Sequence, residues 1–139
     1  MRQSMLAVTG VYLVVMAVCD IRAKKIPLLP GILGIIFVCA GNLILHISWV
    51  HWVLGMAIGI ALGVIGRVSR GAIGGGDALV YCLTGAYLGF FENLELLFIS
   101  LMLSSLVSLF LITVRHVGKR YSIPFVPFTA LAFGMVMFL

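Results

Sequence analysis

The chain has 139 residues, of which 63% are hydrophobic and 9% charged, with nine Lys or Arg against four Asp or Glu and a net charge of +5. Soluble domains carry about 25% charged residues, so a water-covered globule is excluded, and the apolar content also excludes disorder. The mean hydropathy of +1.28 predicts an all-α, polytopic transmembrane bundle, one integral-membrane domain over 1–139; its basic side chains are spread over short breaks, which excludes a nucleic-acid surface.

Six apolar stretches are predicted to span, at 5–19, 28–45, 49–65, 78–91, 94–114 and 122–139. The first has no basic region beyond Arg2 and no small-residue cleavage site before Asp20, so it reads as a retained span rather than a signal peptide. The first break, 20–27, holds Arg22, Lys24 and Lys25. The second, 46–51, begins and ends with histidine and carries Trp49, an interface residue. The third, 67–77, is glycine-rich and holds Arg67 and Arg70. The fourth, 92–95, is acidic, and the fifth, 115–121, holds Arg115, Lys119 and Arg120. Breaks one, three and five thus contain eight of the nine basic residues. The positive-inside rule places them in the cytoplasm and both termini outside it.

Small residues recur at helical spacing: Gly55, Gly59 and Gly63; Gly85 and Gly89; Ser100, Ser104 and Ser108. They read as packing seams between membrane helices, within the chain or in a homodimer. Cys19, Cys39 and Cys82 form no CxxC pair, and His46, His51 and His116 have no ligand spacing, so no metal or cofactor is expected.

Chemistry falls to the acids. Glu92 and Glu95 are assigned to an outward, solvated loop. Asp20 follows the first span and Asp77 precedes the fourth, so both lie on the cytoplasmic side although 57 positions apart. Residues 78–91 form only about 21 Å of helix at ~1.5 Å per residue, against a hydrocarbon layer of about 30 Å. Asp77 is therefore expected in or near the inner leaflet, where an ionisable group usually faces a cavity or a partner. Gly74, Gly75 and Gly76 before it permit a sharp bend and leave room for an extended substrate backbone. Two carboxylates at close range share a proton, the arrangement that lets one act as general base and the other as general acid. The residues alone leave other readings open. Asp20 could pair with Arg22 or Lys24, Asp77 could be the N-cap of the fourth helix, or both could serve a small proton-coupled carrier or interaction subunit.

The run Gly74-Gly75-Gly76-Asp77 fits the GxGD signature of intramembrane aspartyl proteases. Asp20, a basic stretch and Ile26-Pro27 resemble the first aspartate motif of the type IV prepilin peptidases. Residues 123–132, Ile-Pro-Phe-Val-Pro-Phe-Thr-Ala-Leu-Ala, resemble their closing Pro-Phe-x-Pro-Phe-x-Ala segment. The resemblance implies a multi-pass endopeptidase of the bacterial inner membrane. Its substrates would be type IV prepilins or the pseudopilins of type II secretion. It would cut their short basic leader after a glycine, at the cytoplasmic face, with Asp20 and Asp77 catalytic and Gly74 to Gly76 lining the substrate strand. It implies no cofactor. Arg22, Lys24 and Lys25 are assigned to anionic lipid, and Pro124 and Pro127 to starting and kinking the last helix. The chain departs from the family pattern at Leu28, where Asn or Asp is common, at Leu79, where Lys is common, and at Val126, where Gly is common. Larger members carry a CxxC-containing methyltransferase segment between the first two spans. Only about eight residues stand there in this chain, so N-methylation would fall to a separate enzyme.

Overall fold

Away from water a backbone satisfies its own N–H and C=O groups in helices or closed barrels, and the apolar stretches here fold as helices. The computed structural model describes residues 2–23, 28–70, 73–115 and 124–138. Among them are six helices and no strand: α1 (Arg2–Ala23), α2 (Leu28–Ile44), α3 (Trp49–Val68), α4 (Gly75–Leu88), α5 (Phe90–Arg115) and α6 (Val126–Phe138). The all-α expectation holds. Of the six, α3 and α5 are long and apolar enough to cross a membrane, whereas α2 and α6 are shorter apolar helices. Lys24, Lys25, Ile26, Pro27, His116, Lys119 and Arg120 lie outside the described residues.

Helix α4 is the centre of the bundle. It packs on α2, α3 and α5, most extensively on α3, while α1 and α5 each pack on α6. Nine of its fourteen residues, from Ala78 to Leu88, are buried, as befits a helix that is apolar all round. The other helices bury one stripe each. On α1 the stripe is Thr9, Leu13, Met16, Ala17 and Asp20, and Val11, Val14, Val15, Val18 and Ile21 face out. On α5, Asn93, Leu96 and Ser100 are buried while Phe98, Leu101, Met102, Leu106, Leu109 and Phe110 are exposed. Large apolar side chains thus cover much of the outside as well as the core, which a water-soluble domain does not show. This is a membrane protein.

The α3–α4 seam is made of glycine, and it lies within the chain. A Cβ on Gly55 would collide with the Gly85 carbonyl, and one on Gly59 would strike the backbone N of Cys82 and stand 2.6 Å from the Ala78 carbonyl oxygen. Gly63 is looser, with the Ala78 Cβ at 3.4 Å. The serine stripe of α5 is a seam only at Ser100; Ser104 and Ser108 are half-buried.

Several boundaries differ from expectation, and those at the two ends of α4 bear most on its neighbours. The fourth helix starts three residues early, at Gly75, because glycines at a helix start have no side chain to oppose the turn. It stops at Gly89, whose φ of 94° is left-handed and strained for any residue with a Cβ. Helix α5 then begins at once, so Glu92 and Glu95 lie on its first turns rather than in a loop. Both are exposed, and acidic groups suit a positive helix start.

Between them Asn93 is buried and ties three helices together. Its amide nitrogen donates to the carbonyls of Gly55 (3.1 Å) and Tyr81 (3.0 Å), and its oxygen accepts from the Thr84 hydroxyl (2.8 Å). Asn42 adds a bond from α2 to the Ala86 carbonyl, at 2.6 Å. Asn93→Leu leaves Thr84 and two carbonyls to find other partners, and is expected to destabilise the fold by about 1–3 kcal/mol. Thermal unfolding of the purified variant in detergent checks this.

Candidate active site

Asp20 lies in the last turn of α1, on the stripe that faces the bundle. A carboxylate there opposes its own helix dipole, whose C-terminal end is negative, so it does not stabilise α1. Its compensation comes from α6. The side chain is 8% exposed, and its Oδ2 accepts a hydrogen bond from the Val126 backbone N–H at 3.2 Å. Val126 is the first residue of α6, where an N–H has no partner inside the helix. The next residue, Pro127, has no N–H at all, and the Phe128 and Thr129 N–H groups turn back to the Phe125 carbonyl. Val126 is therefore the donor free to reach another chain segment. Arg22, two residues after Asp20, is exposed.

Asp77 is the third residue of α4, not its N-cap; that position belongs to Gly74. The Asp77 carboxylate folds back toward Gly74 and takes a backbone hydrogen bond from it. This is half of a capping box, in which the third side chain of a helix serves the N-cap N–H. A Cβ on Gly74 would stand 3.1 Å from Asp77 Oδ2, so the glycine leaves the space that the carboxylate uses. Gly74 and Gly75 are exposed and Gly76 is half-buried. Nothing lies within 4 Å of the Cβ position of Gly75, so one side of the glycine run is open. Gly75 and Gly76 are helical rather than a bend.

The two acids come together. Asp77 is close enough to Asp20 to feel its charge, although α1 and α4 are far apart in the chain. The start of α4 and the start of α6, both positive ends, converge on the pair.

Beside them is a polar cluster that reasoning from sequence missed. Tyr81 stands one turn after Asp77 and is fully buried. Its hydroxyl is 3.4 Å from Thr129 Oγ1 and shares a hydrogen bond with Ser100, while its ring lies against Phe125, centroids 6.3 Å apart. The four-residue spacing of Asp77 and Tyr81 was the available signal. Of the three departures from the family pattern, Leu79 packs toward Gly31 of α2, where a Cβ would be 3.0 Å from its Cδ1; Val126 is fully buried; and Leu28 begins α2.

Residues 7–114 match the sequence profile of the type IV leader peptidase family. The chain belongs to that family. The prepilin leader peptidase/N-methyltransferase of Bacillus subtilis (strain 168) is 32% identical over 127 residues, covering 90% of this chain and 50% of that protein. The chain spans about half the length of this curated relative. No solved structure matches it. Within this fold Asp20 is buried and Asp77 half-buried, and Gly75, two residues before Asp77, has open space at its Cβ position.

Proposed function

We propose that this chain, as one peptidase domain over 1–139, is an intramembrane aspartyl endopeptidase. It removes the leader of type IV prepilins or pseudopilins at the cytoplasmic face of a bacterial inner membrane. The reading includes six spans with both termini outward, since the basic residues alternate between breaks, and it assigns Arg22, Lys24 and Lys25 to anionic headgroups. Asp20 and Asp77 are the catalytic pair and Gly74 to Gly76 line the substrate strand.

The observation that carries the reading is the convergence of Asp20 and Asp77. Asp20 accepts from the Val126 N–H and Asp77 from that of Gly74, and the Cβ position of Gly75, two residues before Asp77, is open. The chemistry needs one ionised and one neutral carboxyl. The ionised group takes a proton from water as the water oxygen attacks the scissile carbonyl carbon. The neutral group donates its proton to the carbonyl oxygen, giving a tetrahedral diol. Proton transfer to the amide nitrogen then lets the C–N bond break, and the two carboxyls return to a shared proton.

The substrate strand fits the glycine run because a backbone without side chains permits close approach. A cut next to an apolar substrate helix also suits short helices: at ~1.5 Å per residue α4 is about 21 Å long, so its start lies below the face of a ~30 Å hydrocarbon layer.

The test is cleavage itself. Purified full-length protein in lipid–detergent micelles is incubated with a prepilin-type substrate bearing a basic leader, a glycine and an apolar helix. Mass spectrometry of the products is expected to show a single cut after the glycine. An intact substrate, under conditions where the protein is folded, would sink the assignment.

A further inference from the structure

We propose that the first turn of α6 is the positioning element of the acid pair, with the Val126 backbone N–H setting Asp20 and Thr129, one turn on, setting Tyr81 beside Asp77. The inference rests on the peptidase reading and adds residues to it that touch neither water nor substrate.

The geometry carries it in three steps. First, Asp20 and Asp77 sit on helices 57 positions apart, and α1 packs on α6 while α4 packs on α2, α3 and α5. Side chains of α1 and α4 meet in the apolar core, Leu13, Met16 and Ala17 with Val80 and Tyr81, but polar contacts that fix the direction of each site side chain come from a third element. Second, α6 reaches both sides. Its Val126 N–H donates to Asp20 at 3.2 Å, and its Thr129 hydroxyl lies 3.4 Å from that of Tyr81. Val126 and Thr129 are both fully buried and lie three residues apart, so they share one face of the helix. Phe125, just before the helix, lies tilted against the same Tyr81 ring.

Third, the contact to Asp20 comes from the backbone. A helix-start N–H has no rotamer to change, so it holds the carboxylate oxygen in one direction. A misplacement of about 1 Å costs on the order of 100-fold in rate. Pro127 sharpens the arrangement: it leaves Val126 as the one donor of the first two helical residues.

A backbone donor is removed by proline. Proline is well tolerated at the first position of a helix, since its missing N–H has no helical partner there. The preceding Phe125 stands at the cap, where an extended conformation, the one proline requires of its predecessor, is usual. Val126→Pro therefore deletes the hydrogen bond while leaving the helix start intact. Val126→Ala does the opposite: it keeps the N–H and removes buried apolar volume.

The experiment measures kcat, KM and melting temperature for the full-length protein with the prepilin-type substrate. Val126→Pro is expected to lower kcat about 10- to 100-fold, the scale of a hydrogen bond to a charged group, with KM near that of the parent and a modest fall in melting temperature from the lost bond. Val126→Ala is expected to lower the melting temperature and keep kcat well above that of Val126→Pro. Thr129→Val should lower kcat about 3- to 10-fold, the scale of a neutral hydrogen bond, and Thr129→Ser should recover it.

Parental kcat in Val126→Pro overturns the proposal, as does an equal loss in Val126→Pro and Val126→Ala. Should Val126→Pro not fold, the threonine pair decides, and parental kcat in Thr129→Val is the overturning result. Asp20→Asn is run alongside. If it is inactive while Val126→Pro is active, the positioning role fails and the peptidase reading stands; if Asp20→Asn cleaves normally, the peptidase reading itself fails.

Discussion

Asp20→Asn and Asp77→Asn are each expected to reduce cleavage of a prepilin-type substrate by about three orders of magnitude or more, in protein that stays folded. Asparagine is a discriminating substitution here because the carbonyl oxygen of its amide accepts the same hydrogen bonds. An amide at position 20 would still take the Val126 N–H that reaches Asp20 Oδ2 at 3.2 Å, and an amide at position 77 would still reach back to Gly74 as Asp77 does. As helix-end acceptors Asn and Asp are nearly equal. If either aspartate were there only to cap a helix, asparagine would serve, and activity would survive. A catalytic role requires a group that takes or gives a proton, and an amide does neither at useful rates. Stability points the same way. Removing a charge from the 8%-exposed side chain of Asp20 relieves desolvation, so the melting temperature of Asp20→Asn is expected to hold or rise. The double variant is expected to be no less active than either single one, because residues that act as a unit lose their function together. Initial rates, with circular dichroism and melting on the same preparations, check all three statements. Substantial cleavage by either folded single variant would remove the acid pair from the mechanism.

Much of this arrangement is legible in the residues. The stripe Thr9, Leu13, Met16, Ala17 and Asp20 follows helical periodicity, so an aspartate on the buried face of an otherwise valine-covered helix could be read directly. The glycines at 55, 59 and 85 mark the α3–α4 seam in the same way. What resisted was the boundary at Gly89. Acidic residues at 92 and 95 look like a loop by polarity, yet they suit the start of a helix, and a single left-handed glycine closes one helix and opens the next with no loop between. The joining of Asp20 to α6 was hidden for a different reason. The donor is a backbone N–H, which every residue except proline has, so no side chain at position 126 announces it. The closing segment is noticeable for its prolines, and Pro127, the second residue of α6, has no N–H beside the Val126 donor. Tyr81 and Thr129 are polar residues in apolar stretches 48 positions apart, and only the tertiary structure brings their hydroxyls within 3.4 Å.

Gly85→Ala is expected to be severely destabilising, although it adds one methyl group and replaces the weaker helix former with the stronger. By propensity alone the change would favour α4 by about 1 kcal/mol. Packing overrides this. A Cβ at residue 85 would lie 2.5 Å from both Asn93 Nδ2 and the Gly55 carbonyl carbon, and would collide with the Gly55 oxygen. The obstacles are backbone and a side chain already engaged in three hydrogen bonds, so no rotamer change relieves the overlap. Helices α3 and α4 must separate, and overpacking of this kind costs about 1–3 kcal/mol before the Asn93 bonds are counted. Those bonds, to Gly55, Tyr81 and Thr84, stretch as the seam opens and add a further ~1–3 kcal/mol. Gly134→Ala is the matched comparison. Nothing lies within 4 Å of its Cβ position, so propensity acts alone and a modest gain in melting temperature is expected. Equal melting temperatures for the two variants would mean that the α3–α4 seam is not closed by backbone contact. The seam also bears on the chemistry: α4 carries Asp77 at one end and Gly85 near the other, so tilting it away from α3 swings Asp77 relative to Asp20. Any folded fraction of Gly85→Ala is therefore expected to cleave more slowly per molecule than the parent, which separates loss of geometry from simple loss of protein.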